Sequence, residues 1–393
     1  MSLPVLHVSR RAAARIRHGH VWVYRSDLTA SDQAPSGSLV EVHDDSSNLL
    51  GSALYSTSSQ IALRMLAPER LDPAQLTELV QQRLKTAVGY RRRIVENSDA
   101  FRVVFSEGDG LPGLIVDCYN DVLSTQVLTQ AMDHAELRDI ILRTLLEEFK
   151  PAAVVERVEP RIRELEQLPP LDQGLRFGDK TRTIFTMNGV RFHFSALEGQ
   201  KTGAFLDQRE NYAAAASYAR GEALDVFCYH GGFALHLARV CSQVTAVDSS
   251  RPALEIAEQN EKLNPRDGPE IEWMEANAFD LLKDYSMAGR QYDTIVLDPP
   301  AFAKSRKALE TAMRGYKELN LRALKMLRPG GVLVTCSCSF HVGEDDFLEM
   351  LRAAAFDARQ SPKVIAKRGQ SRDHPVLLAV PETAYLKCVI LTV

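Results

Sequence analysis

Beyond about residue 205 the chain alternates short apolar runs with helical stretches, and few folds accommodate that rhythm. Strands are expected at Ala223–Cys228, Gln243–Val247, Ile271–Met274, Thr294–Leu297 and Gly331–Cys336. Helices are expected between them, most clearly over Arg251–Leu263 and Lys307–Leu327. Such alternation builds a parallel sheet covered by helices, with its ligand crevice at the carboxyl ends of the strands. The fold class is therefore α/β.

Upstream the pattern differs. Residues 1–67 read as a helix near Ser9–His18, with Ser9 as its N-cap, and short strands at Trp22–Tyr24, Leu39–His43, Leu49–Tyr55 and Ile61–Leu66. A small β-barrel-like module fits. The middle of the chain mixes a helix over Ala74–Ile94 with strands around Phe101–Phe105, Leu114–Tyr119 and Val122–Leu128. It continues with a helix at His134–Phe149 and a hairpin turning at Asn188-Gly189. At 393 residues the chain exceeds one ordinary core. Three domains are expected, at residues 1–70, 71–190 and 191–393.

With 45% hydrophobic and 25% charged residues the composition is that of a globular protein, and the longest apolar runs are strand-length. No membrane partner and no secretory signal are expected, and the scattered cysteines contain no CxxC pair. A cytoplasmic protein without a metal site is the expectation. The net charge of −4 argues against coating nucleic acid non-specifically, yet residues 1–26 hold five arginines, three histidines and no acid. A local basic patch of that kind holds phosphates, or is a solvated helix face.

The first sheet strand runs through Leu224-Asp225-Val226-Phe227-Cys228-Tyr229-His230-Gly231-Gly232-Phe233 into a helix. A double glycine there lets the backbone approach a ligand. The turn is neither GxGxxG nor GxxxxGK[ST], which disfavours nicotinamide dinucleotides and nucleoside triphosphates. The next strand ends in Asp248-Ser249, where a carboxylate reaches two ribose hydroxyls. Asn277-Ala278 follow the third strand, with Asn277 facing an adenine edge, and Asp298-Pro299-Pro300-Ala301-Phe302 end the fourth. Each element alone is common; four in this order point to an adenosyl cofactor.

The order DVFCYHGGF, AVDSS, DPPAF, with LKMLRPGGVL before the fifth strand, resembles a class I methyltransferase using S-adenosylmethionine. More closely, the chain resembles the bacterial 23S rRNA cytosine-5 methyltransferases that carry an N-terminal PUA domain. The run from Lys201 to Arg209 fits that family's KTGxxLDQR signature. Arg314-Gly315-Tyr316-Lys317, Asp373-His374-Pro375 and Tyr385-Leu386-Lys387 fit further motifs. The resemblance covers essentially the whole chain. It implies a PUA-like module, a central mixed α/β domain and a Rossmann-like methyltransferase domain. It also implies a cofactor set of Gln208, Asp225, Phe227, Tyr229, Gly231, Gly232, Phe233, Asp248, Ser249, Asn277, Ala278 and Asp298.

Carbon 5 of cytosine is a weak nucleophile until a thiolate adds at carbon 6, so the chemistry needs a cysteine, an acid near N3 and a base. By resemblance to the family's Ser-Cys-Ser motif, Cys338 is the nucleophile, with Cys336 two residues earlier as a neighbour of open role. Asp298 would hydrogen-bond the target base. Other RNA cytosine-5 methyltransferases place a second cysteine just after the proline of the fourth-strand motif. Pro300 and Ala301 stand there instead, leaving Asp298, Cys336 or a water to take the proton. DPPAF also permits methylation of an exocyclic amine, with Phe302 stacking on the base and no cysteine involved. A non-catalytic RNA-binding scaffold is a third reading, and a protein or small-molecule substrate a fourth.

For RNA binding the expected residues are Arg10, Arg11, Arg15, Arg17, Lys201 and Arg209, with Arg91–Arg93 extending the track. Trp22 and Tyr24 either stack on RNA or fill the small barrel. Lys201, Gln208 and Arg209 suit a cofactor lid or a phosphate contact, and Asp207 or Asn211 a helix cap. Ribosomal RNA, naked or in the large subunit, is the expected partner, and a homodimer stays open.

Overall fold

A computed structural model describes residues 3–29, 33–196, 204–303 and 305–393. The chain divides into two compact units. Residues 3–185, 194–196 and 373–383 form the first, and residues 186–193, 204–372 and 384–393 the second.

The first unit carries two five-stranded sheets. One contains β1 (Val5–His7), β2 (Trp22–Tyr24), β3 (Leu39–His43), β4 (Leu49–Tyr55) and β5 (Ile61–Ala67) in the order β1-β3-β4-β5-β2. Helix α1 (Arg10–Arg17) starts at Ser9, whose Oγ accepts the Ala12 N–H at 3.3 Å. Its inner face, Ala12 and Ala13, joins Leu6, Val23, Val40, Val42 and Leu63 in the core. Val23, not Trp22, points into that core. Trp22 is half-buried, and its Nε1 donates to Glu107 Oε1 at 3.1 Å.

The other sheet runs β10-β9-β8-β7-β6. Its strands are β6 (Ala100–Phe105), β7 (Leu114–Tyr119), β8 (Val122–Val127), β9 (Ala153–Glu156) and β10 (Gly174–Gly178). Helices α2 (Pro73–Ile94) and α3 (Ala135–Phe149) share a core with it through Val80, Leu84, Val88, Val116, Leu123 and Leu145, while α4 (Pro160–Leu165) is a short piece beyond β9. Asp72 and Gln75 form a capping box at the start of α2, with Pro73 in its first turn. Strands β11 (Arg182–Met187) and β12 (Val190–Ser195) make the expected hairpin, with Asn188 and Gly189 at φ 51° and 77°.

The second unit holds a seven-stranded sheet in the order β15-β14-β13-β16-β17-β19-β18. The strands are β13 (Glu222–Val226), β14 (Gln243–Asp248), β15 (Glu272–Glu275), β16 (Tyr292–Leu297), β17 (Leu327–Ser337), β18 (Lys363–Arg368) and β19 (Lys387–Thr392). The first five are parallel; β19 lies antiparallel between β17 and β18. The helices are α5 (Arg209–Tyr218), α6 (Gly232–Leu237), α7 (Arg251–Lys262), α8 (Ala278–Met287), α9 (Leu309–Lys325) and α10 (Glu344–Ala358). Leu224, Val226, Ile295, Leu297, Leu333, Leu319 and Phe347 centre one core. Strand order reverses between β13 and β16, and a crevice opens at such a switch point. The extended run expected to reach Cys228 stops at Val226, because Phe227 takes a φ of 69°. Among the described residues no helix is long and apolar enough to cross a membrane.

Arg91 falls outside the expected RNA-binding track. Its side chain is fully buried within the first unit and pairs with Asp109, Nη2 donating to Oδ2 at 2.8 Å. Nε donates to Arg102 O at 2.9 Å and Nη2 to Asp373 O at 2.7 Å, while Asp373 Oδ2 accepts from the Arg102 N–H at 2.9 Å. The Asp373-His374 motif is thus part of a buried clasp, with the His374 ring 5.2 Å from that of Phe105. Removing one partner of a buried ion pair leaves an uncompensated charge, at a cost of roughly 3–5 kcal/mol. Asp109→Ala is therefore expected to destabilise the protein by about that amount, read as a lowered midpoint in denaturant unfolding.

Candidate active site

The turn after β13 is held by its neighbours rather than by its own helix. The N–H groups of Phe227 and Cys228 both donate to Val247 O, at 2.9 and 3.0 Å, and the Tyr229 N–H donates to Asp248 Oδ2 at 2.9 Å. Phe227, Tyr229 and Gly231 take φ values of 69°, 49° and 84°, a region costly for non-glycine residues. The two glycines have separate reasons. A Cβ on Gly231 would stand 2.8 Å from the Trp273 ring, and one on Gly232 would stand 2.5 Å from the ring of buried Tyr212. Phe233 is buried against Tyr212, their ring centroids 4.7 Å apart.

Three carboxylates meet at the strand tips. Asp225 is fully buried; its Oδ2 accepts the Ala234 N–H at 2.8 Å, while Oδ1 is buried without a hydrogen-bond partner. Burial, then the negative charge of Asp298 and that of Asp248, pushes its carboxyl well above the usual aspartate range. Asp248 accepts from the N–H groups of Tyr229 and Ser250, each at 2.9 Å. Ser249 and Asn277 are exposed, and Asn277 Oδ1 accepts from Phe279 N–H at 2.9 Å, capping α8 just before buried Ala278.

Gln208 does not point outward. It is buried, and its Nε2 donates to Asp298 Oδ1 at 3.0 Å while its Oε1 accepts from Asn211 Nδ2 at 2.7 Å. Asn211 is itself fixed, donating to Gly369 O at 3.0 Å and accepting from Arg368 Nε at 2.9 Å. The relay Arg368–Asn211–Gln208 therefore orients Asp298. Arg209 is only 2% exposed and lies 3.7 Å from Glu210, so its guanidinium is not presented to a phosphate. Lys201 lies outside the described residues.

The Ser-Cys-Ser run has two roles built into it. Ser337 and Ser339 are fully buried: Ser337 Oγ donates to Tyr316 Oη at 3.0 Å, and Tyr316 Oη and Ser339 Oγ share a hydrogen bond at 2.9 Å. Ser339 Oγ also accepts the Ala303 N–H at 3.1 Å. The half-buried Cys338 stands between these two anchors, one residue beyond the end of β17. Tyr316 accounts for the Arg314-Gly315-Tyr316-Lys317 motif, a connection that only tertiary structure reveals. Cys336 is different. It is fully buried opposite Cys388 of β19, and burial with that neighbour pushes its thiol well above the ordinary range.

Residues 177–389 match the S-adenosylmethionine-dependent methyltransferase family, and residues 6–68 match the PUA-like domain. Ribosomal RNA large subunit methyltransferase I of Alteromonas mediterranea is 34% identical over 95% of both chains, and its Serratia proteamaculans counterpart is 35% identical over 94% of both. The chain belongs to this methyltransferase family. The methyltransferase also shares the fold of an S-adenosylmethionine-dependent methyltransferase from Streptococcus mutans. That solved structure has 18% identity, a TM-score of 0.83, and coverage of 99% of this chain and 100% of that one. A methyltransferase solved with S-adenosylhomocysteine gives a TM-score of 0.84 at 18% identity, with the same coverage.

S-adenosylmethionine is the methyl donor of this family, and the observed site fits it. An unpartnered buried Asp225 oxygen and three mutually repelling carboxylates favour a cation, and a sulfonium is one.

The basic patch of α1 is less basic than it reads. Arg15 pairs with Asp27 and Arg17 with Asp44, each at 2.5 Å, and Arg10 lies 3.6 Å from Asp45. Arg10, Arg11 and Arg17 are exposed, and the Arg15 guanidinium lies 5.4 Å from the Tyr24 ring centroid.

Two outcomes follow for cofactor binding. Gly232→Ala drives a methyl into the Tyr212 ring and is expected to weaken S-adenosylhomocysteine binding at least tenfold by calorimetry, with little change for Gly89→Ala, where nothing lies within 4 Å of the added carbon. Because Asp225 is raised, part of its carboxyl holds a proton above the usual aspartate range, and a cation bound beside it favours the ionised form. S-adenosylmethionine binding should therefore release protons and tighten as pH rises through that range. Calorimetry in buffers of different ionisation enthalpy reads this, and Asp225→Asn should abolish the release.

Proposed function

We propose that the methyltransferase forms 5-methylcytosine in RNA of the large ribosomal subunit through a covalent adduct on Cys338. The observation that carries this reading is a half-buried cysteine presented between two buried, hydrogen-bonded serines, at the strand end next to the one that carries Asp298. A residue that served only the core would not be mounted this way. The relatives named for the large ribosomal subunit and the PUA-like domain supply the substrate class.

Bound S-adenosylmethionine supplies an electrophilic methyl group to carbon 5. Cys338 adds through sulfur to carbon 6 of cytosine, raising electron density at carbon 5. Asp298, its direction fixed by Gln208, hydrogen-bonds the base and steadies the adduct. After transfer the carbon 5 proton passes to a base, Asp298 or a water, the carbon–sulfur bond breaks with its electron pair returning to sulfur, and aromaticity returns. Cys336 is sealed in the sheet, where burial raises its thiol, and it has no part in the transfer under this reading. Arg10 and Arg11, exposed on α1, contact the RNA backbone from the first unit, while Arg15 and Arg17 are drawn to Asp27 and Asp44.

Methylation of an exocyclic amine draws less support. That chemistry uses the ring of Phe302 as a stacking surface, whereas Phe302 packs 4.8 Å from the Tyr316 ring and 6.0 Å from the Phe279 ring, centroid to centroid. The test is release of tritium from large-subunit rRNA labelled at cytosine carbon 5, with S-adenosylmethionine present. Release that vanishes in Cys338→Ala is the expected result. Methyl incorporation without release would replace the cytosine-5 reading with the amine reading.

A further inference from the structure

Lys387 is a buried lysine that the chemistry above leaves unused. It opens β19 directly opposite Ser337 of β17 and is 9% exposed. Its Nζ donates to Ser339 O at 2.7 Å and to Tyr385 O at 2.9 Å. Those two carbonyls, one from each side of the site, clamp the amine beside the peptide that follows Cys338. An ammonium has three N–H donors and an amine two, so the carbonyls satisfy the neutral form and leave its third position for a proton. Burying a charged lysine is costly unless an opposite charge compensates it. No carboxylate bonds this one among the described residues; the charge that acts on it is that of Cys338. Burial lowers Lys387 to about 8, and the Cys338 charge opposes that fall.

Among the described residues, other titratable groups near the pair are engaged elsewhere, the Tyr385 hydroxyl donating to Asp207 Oδ2 at 2.6 Å. Tyr316 of α9 is raised by burial, and its hydroxyl is engaged with Ser337 and Ser339. Cys336 of β17 is held protonated, with Cys388 of β19 against it. Asp298 at the tip of β16 bears on Cys336 and Asp225. Arg368 of β18 is committed to Asn211 and lies 3.8 Å from Glu210.

We propose that Lys387 is the positioning residue that activates Cys338: its amine takes the thiol proton, and the resulting ammonium holds the thiolate ready for carbon 6. The S–H bond breaks, an N–H bond forms, and the electron pair stays on sulfur. When the carbon–sulfur bond later breaks, the released thiolate meets the same ammonium, so the pair is reset without net proton change. This rests on Cys338 being the nucleophile.

The experiment is the pH dependence of iodoacetamide alkylation at Cys338, followed by peptide mass spectrometry in the full chain, with Cys241 as an internal reference thiol that burial raises to about 11. In the unmodified protein the Cys338 inflection is expected below about 8.5, the usual thiol value. Lys387→Met should move it up by at least about one unit, a tenfold loss of thiolate at fixed pH, and Lys387→Arg, which keeps the positive charge, should return most of that shift. An inflection at or above the usual value in the unmodified protein overturns the proposal even if neither variant folds. So does an unmoved inflection in Lys387→Met, or an equal displacement in both variants, which would trace the effect to disturbed packing. Thiol ionisation is read without any methyl transfer. Failure of tritium release would therefore sink the cytosine-5 reading while leaving this measurement interpretable.

Discussion

The placement of β13 between two parallel partners governs the second unit. Val226 faces Val247 on one side and Leu297 on the other. The residues following those partners, Asp248 and Asp298, therefore emerge level with each other on either flank of the Phe227 turn. Asp225 sits one residue earlier on the central strand, below them both. Nothing but register brings the three carboxylates together, and a slip of one residue would turn each to the wrong face. Burial, then the charges of Asp298 and Asp248, raises Asp225, and the charges of Asp298, Asp207 and Asp225 add to the burial that pushes up the Tyr212 phenol. The Gln208 relay and the Tyr212 ring under Gly232 then keep that anionic pocket from relaxing.

Much of this was legible in the sequence because it depends on local pattern. The five parallel strands follow from apolar runs of strand length, the hairpin from Asn188-Gly189, and α1 from Ser9 ahead of a helical stretch. The strand tips carrying Asp225, Asp248 and Asp298 were readable for the same reason. What escaped was set by distant partners. An arginine-rich segment without acids gave no sign that Asp27, Asp44 and Asp45 would fold back onto it. Arg91 reads as surface charge until Asp109 and Asp373 are seen around it. The antiparallel strands β18 and β19 have only a short 3-10 turn at Pro381–Thr383 and no α-helix between them, and so break the rhythm that revealed the others. Gln208 reads as a lid residue, whereas its amide is spoken for on both sides.

Cys336 and Cys338 show how a two-residue spacing can separate roles completely. Strand alternation would place both on one face of the sheet. The strand ends at Ser337, however, and the second cysteine leaves that register. One thiol stays inside the sheet against Cys388, where burial keeps its proton. The other is carried out to the rim by two serines that remain behind. Spacing alone cannot distinguish these fates; the point at which β17 stops decides them.

The first unit is not continuous in sequence. Its early part ends near residue 196, and the clasp that accepts from Arg91 arrives only with Asp373. Roughly 175 residues of nascent chain separate the two, which at ~5–20 residues per second is on the order of ten to thirty seconds of synthesis. Throughout that interval one donor of a buried guanidinium lacks its carbonyl. The first unit can therefore complete this clasp only once Asp373 has been made, and a fragment ending at residue 196 would lack that carbonyl permanently.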